Sequence, residues 1–280
     1  RSDGDTLAWR FTGDRRRAHL RVRRITDGGV RRIDRRAIHR TEDGGRAGSW
    51  LHLRSPGGTA DDYTTGPNLE QVALDRLRAG DINGVRTVLA TWWTVAHRSA
   101  TGRQVTDEEV HPFLPAGSRT GLPGDHLDLG LDNLVGPVEH PAEVLFVDDE
   151  WEATGGVDRD LAAMRTCWKL ATAVVSGGTR HPWPTSTTVD KMAAKFYDLL
   201  PDVTGDPSID HLHVAEAALR VEAIGGDIAT HVAQLRAVGR RSVADRTVGD
   251  GHRSALRRRL ATLKRLPGGE LLATLVRRLR

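Results

Sequence analysis

The chain has 280 residues, 41 Lys and Arg against 37 Asp and Glu, a formal net charge of +4 and one cysteine. That length allows a large core in one two-lobed domain or two small ones. A single cysteine excludes an intrachain disulfide and a cysteine-built zinc site and fits a reducing cytoplasm. The basic excess is small and almost all arginine. It suits an anionic substrate such as a nucleotide or phosphosugar and does not call for nucleic acid. No run of ~20 apolar residues is present, as a membrane-spanning helix would need, and the start carries no signal-peptide pattern. The first residue is Arg1 rather than Met, as in a segment of a longer or processed protein with a domain upstream.

Residues 1–66 read as a small antiparallel sheet. Thr6 to Thr12 and Ala18 to Ile25 alternate apolar and polar residues with a period of two, the strand period. Asp27-Gly28-Gly29 is a hairpin signal. Val30 to Ile38 reads as a third strand and Trp50 to Leu53 as a fourth. The arginine run at 15–17 and the pairs at 23–24, 31–32 and 35–36 read by default as solvated strand faces.

Gly66-Pro67-Asn68 marks a linker, and residues 67–252 read as mainly helical. Leu69, Val72, Ala73, Leu74 and Leu77 form a helical stripe stopped by Gly80. Asp81 caps a second helix, running to about His97, with Val85, Val88, Leu89, Trp92, Trp93 and Ala96 on its buried face. Residues 99–125 are polar, rich in Pro and Gly, and lack periodicity. A loop of that length suggests a role such as acceptor contacts.

The most informative stretch runs from His126 to Glu150. Val144 to Val147 reads as a short buried strand and Leu134-Val135 as a shorter apolar piece before it. Gly136-Pro137 and the polar residues to Glu143 separate them, predicting a hairpin whose outer ends lie side by side. Asn133 then precedes the first strand and Asp148 follows the second, with Asp128 on the loop leading in. Two carboxylates and an amide oxygen at one edge make a hard-cation site suited to Mg²⁺.

Beyond Trp151, Asp158 caps a helix to about Val175 that ends at Gly177-Gly178. Val189 to Leu200, Ser208 to Ile224 and Asp227 to Val238 read as further helices. Cys167, in an apolar helix, reads as core. His211 and His213 are two apart on a helix and diverge, so they do not read as a metal pair. Residues 253–280 repeat leucines at helical spacing among arginines: basic amphipathic helices that pack on their own domain or lie on an anionic membrane.

His126-x-Asp128-x-x-x-x-Asn133, followed by an apolar strand ending in Asp148, resembles the catalytic loop and metal-binding segment of the protein-kinase-like superfamily. Asp148-Asp149-Glu150-Trp151 is closer to the sugar, choline and aminoglycoside kinase branch. D-L-x-x-x-N-L-V with F-V-D-D-E-W resembles the kinase-like domain attached to methyltransferases in bacterial polysaccharide-modifying proteins. Y-x-x-G-P-N-L-E before the first helix resembles the hinge of small-molecule kinases. The resemblance implies an α+β, two-lobed fold with a β-rich N-lobe and a helical C-lobe. It implies ATP or a related nucleotide with Mg²⁺, and phosphoryl transfer to a sugar or other small hydroxyl acceptor in glycan or polysaccharide modification. By it, Asp128 orients the acceptor hydroxyl, Asn133 and Asp148 hold the metal on the phosphates, and His126 braces the loop. It also implies a cytoplasmic or membrane-peripheral enzyme with a methyltransferase domain upstream.

The N-terminal part departs from that pattern. The four lysines are Lys169, Lys191, Lys195 and Lys264, so the third-strand lysine that grips the phosphates is missing. Arg32, Arg35 or Arg36 are the candidate substitutes, though arginine is longer and planar. Gly13 alone stands where a glycine-rich loop belongs, and no helix-borne glutamate partner is evident. These departures keep a second reading open, a catalytically inactive kinase-like module of a larger methyltransferase or glycan-assembly protein.

Overall fold

In a computed structural model, the described residues are 6–10, 17–27, 30–40, 49–53, 61–62, 66–102, 105–118, 120–147, 151–203 and 205–245. They form an α+β structure of small antiparallel sheets and six α-helices. Strands β1 (Thr6–Arg10), β2 (Arg17–Asp27) and β3 (Val30–Arg40) follow the expected order. The β2–β3 register sets Asp27 against Val30, so two residues connect the strands.

The fourth strand differs from expectation. β4 (Leu51–Leu53) is formed where predicted, but β5 (Asp61–Asp62) completes the first sheet by pairing with β3. β4 pairs instead with a strand far along the chain, across the boundary expected at residue 66. Burial accounts for this. Leu51 is in the main core, and Trp50 stacks on His111 with ring centroids 4.6 Å apart.

Helices α1 (Leu69–Arg78) and α2 (Ile82–Ser99) match the predicted pair. Asn68 and Asp81 cap them, accepting hydrogen bonds from Gln71 N–H and Gly84 N–H, which the helices themselves leave unpaired. All six side chains expected on the α2 inner face are buried. The segment that follows, expected as a loop, carries β6 (Thr101–Gly102) and β7 (Thr120–Leu122). The predicted hairpin forms from β8 (Leu134–Val135) and β9 (Leu145–Phe146). Val144, just before its second strand, is buried, whereas Leu145 within that strand is 52% exposed. The run is therefore not the fully buried strand its composition suggests.

β10 (Trp151–Ala153) is the partner of β4, and β11 (Val157–Asp158) joins β7 and β6 in a three-stranded sheet. α3 (Arg159–Gly177) is the central helix, buried on nearly every side, capped by Asp158 and ended by a left-handed Gly178. α4 (Val189–Tyr197), α5 (Ile209–Ile224) and α6 (Ile228–Gly239) complete the order. α4 and α5 pack on α3, and α6 packs on α5. Cys167 is fully buried in α3 and its thiol pKa is pushed up by burial, as for an inert core cysteine. No described helix is long and apolar enough to cross a membrane. The basic segment 253–280 lies outside the described residues.

Candidate functional site

Residues 127–134 form an irregular, largely buried loop, so each backbone carbonyl needs a partner. The chain supplies them from both flanking helices. Arg165 Nη1 on α3 donates to the Leu127 carbonyl at 2.6 Å. Trp92 Nε1 on α2 and Thr166 Oγ1 on α3 donate to the Leu129 carbonyl at 2.7 and 3.1 Å. Asn68 Nδ2, just before α1, donates to the Asp132 carbonyl at 2.7 Å. The predicted linker is thus stitched to the loop: Asn68 bridges Val135, and Gly136 N–H donates to the Pro67 carbonyl at 3.0 Å. Gly136 has φ +149°, and a side-chain carbon there would sit 2.9 Å from Val144 Cα, so the turn out of β8 requires glycine.

Asp128 and Asn133 come together as expected. Asn133 Nδ2 donates to the Asp128 carbonyl at 2.9 Å and to its Oδ2 at 3.2 Å. That commits the amide nitrogen and leaves Oδ1 as the group to offer another partner. Val147 N–H donates to the Asn133 carbonyl at 3.0 Å, so the hairpin ends do lie side by side. Asp148, the next residue, lies outside the described residues. Arg32 and Arg35 are on β3, Arg32 in register with Ile25 and Asp62, Arg35 with Val22. His126 braces the loop. Its Nδ1 is 2.6 Å from Asp125 Oδ1, its Nε2 is 3.1 Å from Ser99 Oγ, and its ring lies beside Phe146.

The charges around Asp128 were not foreseen. Its Oδ1 accepts from Arg165 Nη1 at 2.7 Å and from Lys169 Nζ at 3.1 Å. Arg165 also pairs with Glu216 on α5, and Lys169 lies 2.8 Å from Asp132 Oδ2. Burial alone would raise the Asp128 carboxyl, but Arg165 and Lys169 outweigh it and hold it below the usual carboxylate range. Glu70, in the first turn of α1, is pushed up by burial and by Asp132, against a smaller opposing pull from Lys169. Gly130 leaves room for this cluster, since a side-chain carbon there would collide with Asp132 Oδ1.

A sequence signal for the cluster existed. Arg165 and Lys169 are four apart, on one face of an otherwise apolar helix. Buried cations need carboxylate partners, though the spacing does not say which.

The other histidines have structural contacts. Phe113 N–H donates to His111 Nδ1 at 3.2 Å, so Nε2 carries the proton toward the Gly156 carbonyl at 2.9 Å. His211 Nε2 lies 3.0 Å from the Pro112 carbonyl, whereas His213 is buried, with Nε2 3.2 Å from Asp190 Oδ1. The two diverge as expected. No cluster of three metal-ligating side chains occurs among the described residues. No protein-family model, curated protein or solved structure matches the chain.

Proposed function

We propose that the chain is a kinase-like phosphotransferase domain, transferring a phosphoryl group from a Mg-nucleotide to a hydroxyl acceptor. The observation that carries this reading is the Asn133 amide. Its nitrogen donates to the Asp128 backbone carbonyl at 2.9 Å, while the Asn133 backbone carbonyl accepts from Val147 N–H at 3.0 Å. Asp128 and Asn133 are thereby joined to the end of the second hairpin strand in one local unit, with the Asn133 amide oxygen to spare.

The oxygen donors of Asn133 and Asp148 fit a hard cation, and they are the residues that would hold Mg²⁺. When bound, the metal offsets phosphate charge as the β–γ bridging P–O bond breaks. Asp128 aligns the acceptor hydroxyl and receives its proton as the new P–O bond forms. Lys169 and Arg165 fix the Asp128 carboxylate in place. Positioning supplies most of the rate in such a site. Arg32 and Arg35 are the proposed phosphate-binding cations of a two-lobed arrangement. The setting that the resemblance implies is a cytoplasmic or membrane-peripheral enzyme with a methyltransferase domain upstream.

One observation favours the second reading, a non-catalytic module. Asp128 Oδ1 is held by two cations and Oδ2 by Asn133, so both oxygens already have partners. Nucleotide binding separates the two readings. A Mg²⁺-dependent complex with ATP or GTP that needs Asp148 supports transfer. Its absence leaves the inactive module.

A further inference from the structure

Asp128 opens on one side into a cleft of about 190 Å³ between the loop, β10 and α5. α5 supplies Leu219, Arg220, Ala223 and Ile224 to the cleft, at the spacing of one helical face. Trp151, half-buried on β10, forms the opposite wall. Ile224 is 50% exposed, which is unusual for a large aliphatic residue beside a concave surface.

The charges in the cleft are unequal. Asp128 is answered by Arg165 and Lys169, and Arg165 by Glu216 as well. The Arg220 side chain forms no ion pair or hydrogen bond among the described residues, so its guanidinium is the unanswered charge. Glu216, one turn earlier on the same helix, is already committed to Arg165.

Taking the cleft as the acceptor side of Asp128, which rests on the phosphotransferase reading, we infer that it binds a small hydroxy acid with an apolar, ring-sized carbon body. The carboxylate pairs with Arg220, the carbon body covers Ile224, Ala223 and Trp151, and the hydroxyl reaches Asp128. Its volume lies below the roughly 300–1,000 Å³ of pockets for drug-sized ligands. It therefore takes one ring and its substituents. A neutral polar sugar would leave Arg220 unpaired and set hydroxyls against the aliphatic wall.

The test is isothermal titration of the full chain, without nucleotide, using 4-hydroxyphenylacetate and its neutral analogue 2-(4-hydroxyphenyl)ethanol. Wild type should bind the acid about tenfold more tightly than the alcohol, as a charge-assisted hydrogen bond implies. Arg220→Gln should abolish that preference while its thermal unfolding stays unchanged, because Arg220 has no side-chain partner among the described residues. Equal affinities in wild type, a preference surviving in Arg220→Gln, or no binding of either probe would each overturn the inference. The two readings fail separately. Acid binding without any phosphoryl transfer leaves the cleft and removes the enzyme, whereas transfer to a neutral sugar without acid binding does the reverse.

Discussion

Arg165 Nη1 donates both to the Leu127 carbonyl at 2.6 Å and to Asp128 Oδ1 at 2.7 Å. One helix side chain thus fixes the backbone and the carboxylate of the candidate catalytic loop together. The same guanidinium pairs through Nε with Glu216 on α5, so the loop, the central helix and the helix lining the cleft share a single buried cation. The carboxylates keep it charged: burial would lower its pKa, but Glu216 and Asp128 together raise it.

Arg165→Met leaves Glu216 and Asp128 buried without their shared partner. Breaking a buried pair in this way costs about 3–5 kcal/mol. Urea denaturation should read a loss of that order. The double variant Arg165→Met/Glu216→Leu should recover part of it, because one stranded charge is gone.

Asp128 gives a pH signature. Its folded pKa is depressed, so its contribution is full above the unfolded value near about 3.9 and is lost as pH falls through the lower folded value. Asp128→Asn should be less stable than wild type by about 2–4 kcal/mol at pH 7. The gap should close progressively below about pH 4. A gap that is constant across that range would show that the carboxylate's charge is not what the loop uses.

Glu70 has the opposite sign. Burial and Asp132 raise its pKa, so the folded state favours its protonated form and its charged form weakens the fold above the folded pKa. Glu70→Gln should be more stable than wild type at neutral pH. That advantage should vanish as pH falls below the unfolded glutamate value near about 4.3. Thermal unfolding at the two pH values checks this.

His111 is buried and its pKa is lowered by desolvation, against smaller upward pulls from the carbonyls of Gly156 and Thr154. Its stabilising contribution is present above about pH 6.5 and falls as pH drops from there through the folded value. His111→Phe keeps a ring on Trp50 but leaves the Gly156 carbonyl unpaired, costing about 1–3 kcal/mol at pH 8. The variant should also lose part of the wild-type acid sensitivity below about pH 6.5.

Periodicity and capping residues located the helices well, since Asp81 and Asp158 both cap as read. Strand pairing was harder, because the partner of a strand depends on distant burial. Trp50 and Leu51 leave the first sheet to reach His111 and the core, which no local pattern encodes. The pairing of Asp128 with Asn133 and the hairpin behind it were legible from spacing. The grip of Arg165 and Lys169 was legible only as two cations on an apolar helix, with their partners unspecified. Arg220 carries no sequence signal beyond being the one arginine between Arg180 and Arg236.

The central claim is that Asn133 and Asp148 present a Mg-nucleotide to Asp128. Its most direct test is a thermal-shift titration of the full chain with ATP and GTP, with and without Mg²⁺, on wild type, Asn133→Ala and Asp148→Ala. Ligand that binds only the folded state raises the unfolding temperature with concentration. The account predicts a stabilisation that needs both nucleotide and Mg²⁺ and is lost in either variant. No shift at millimolar nucleotide, or an undiminished shift in Asp148→Ala, would contradict it.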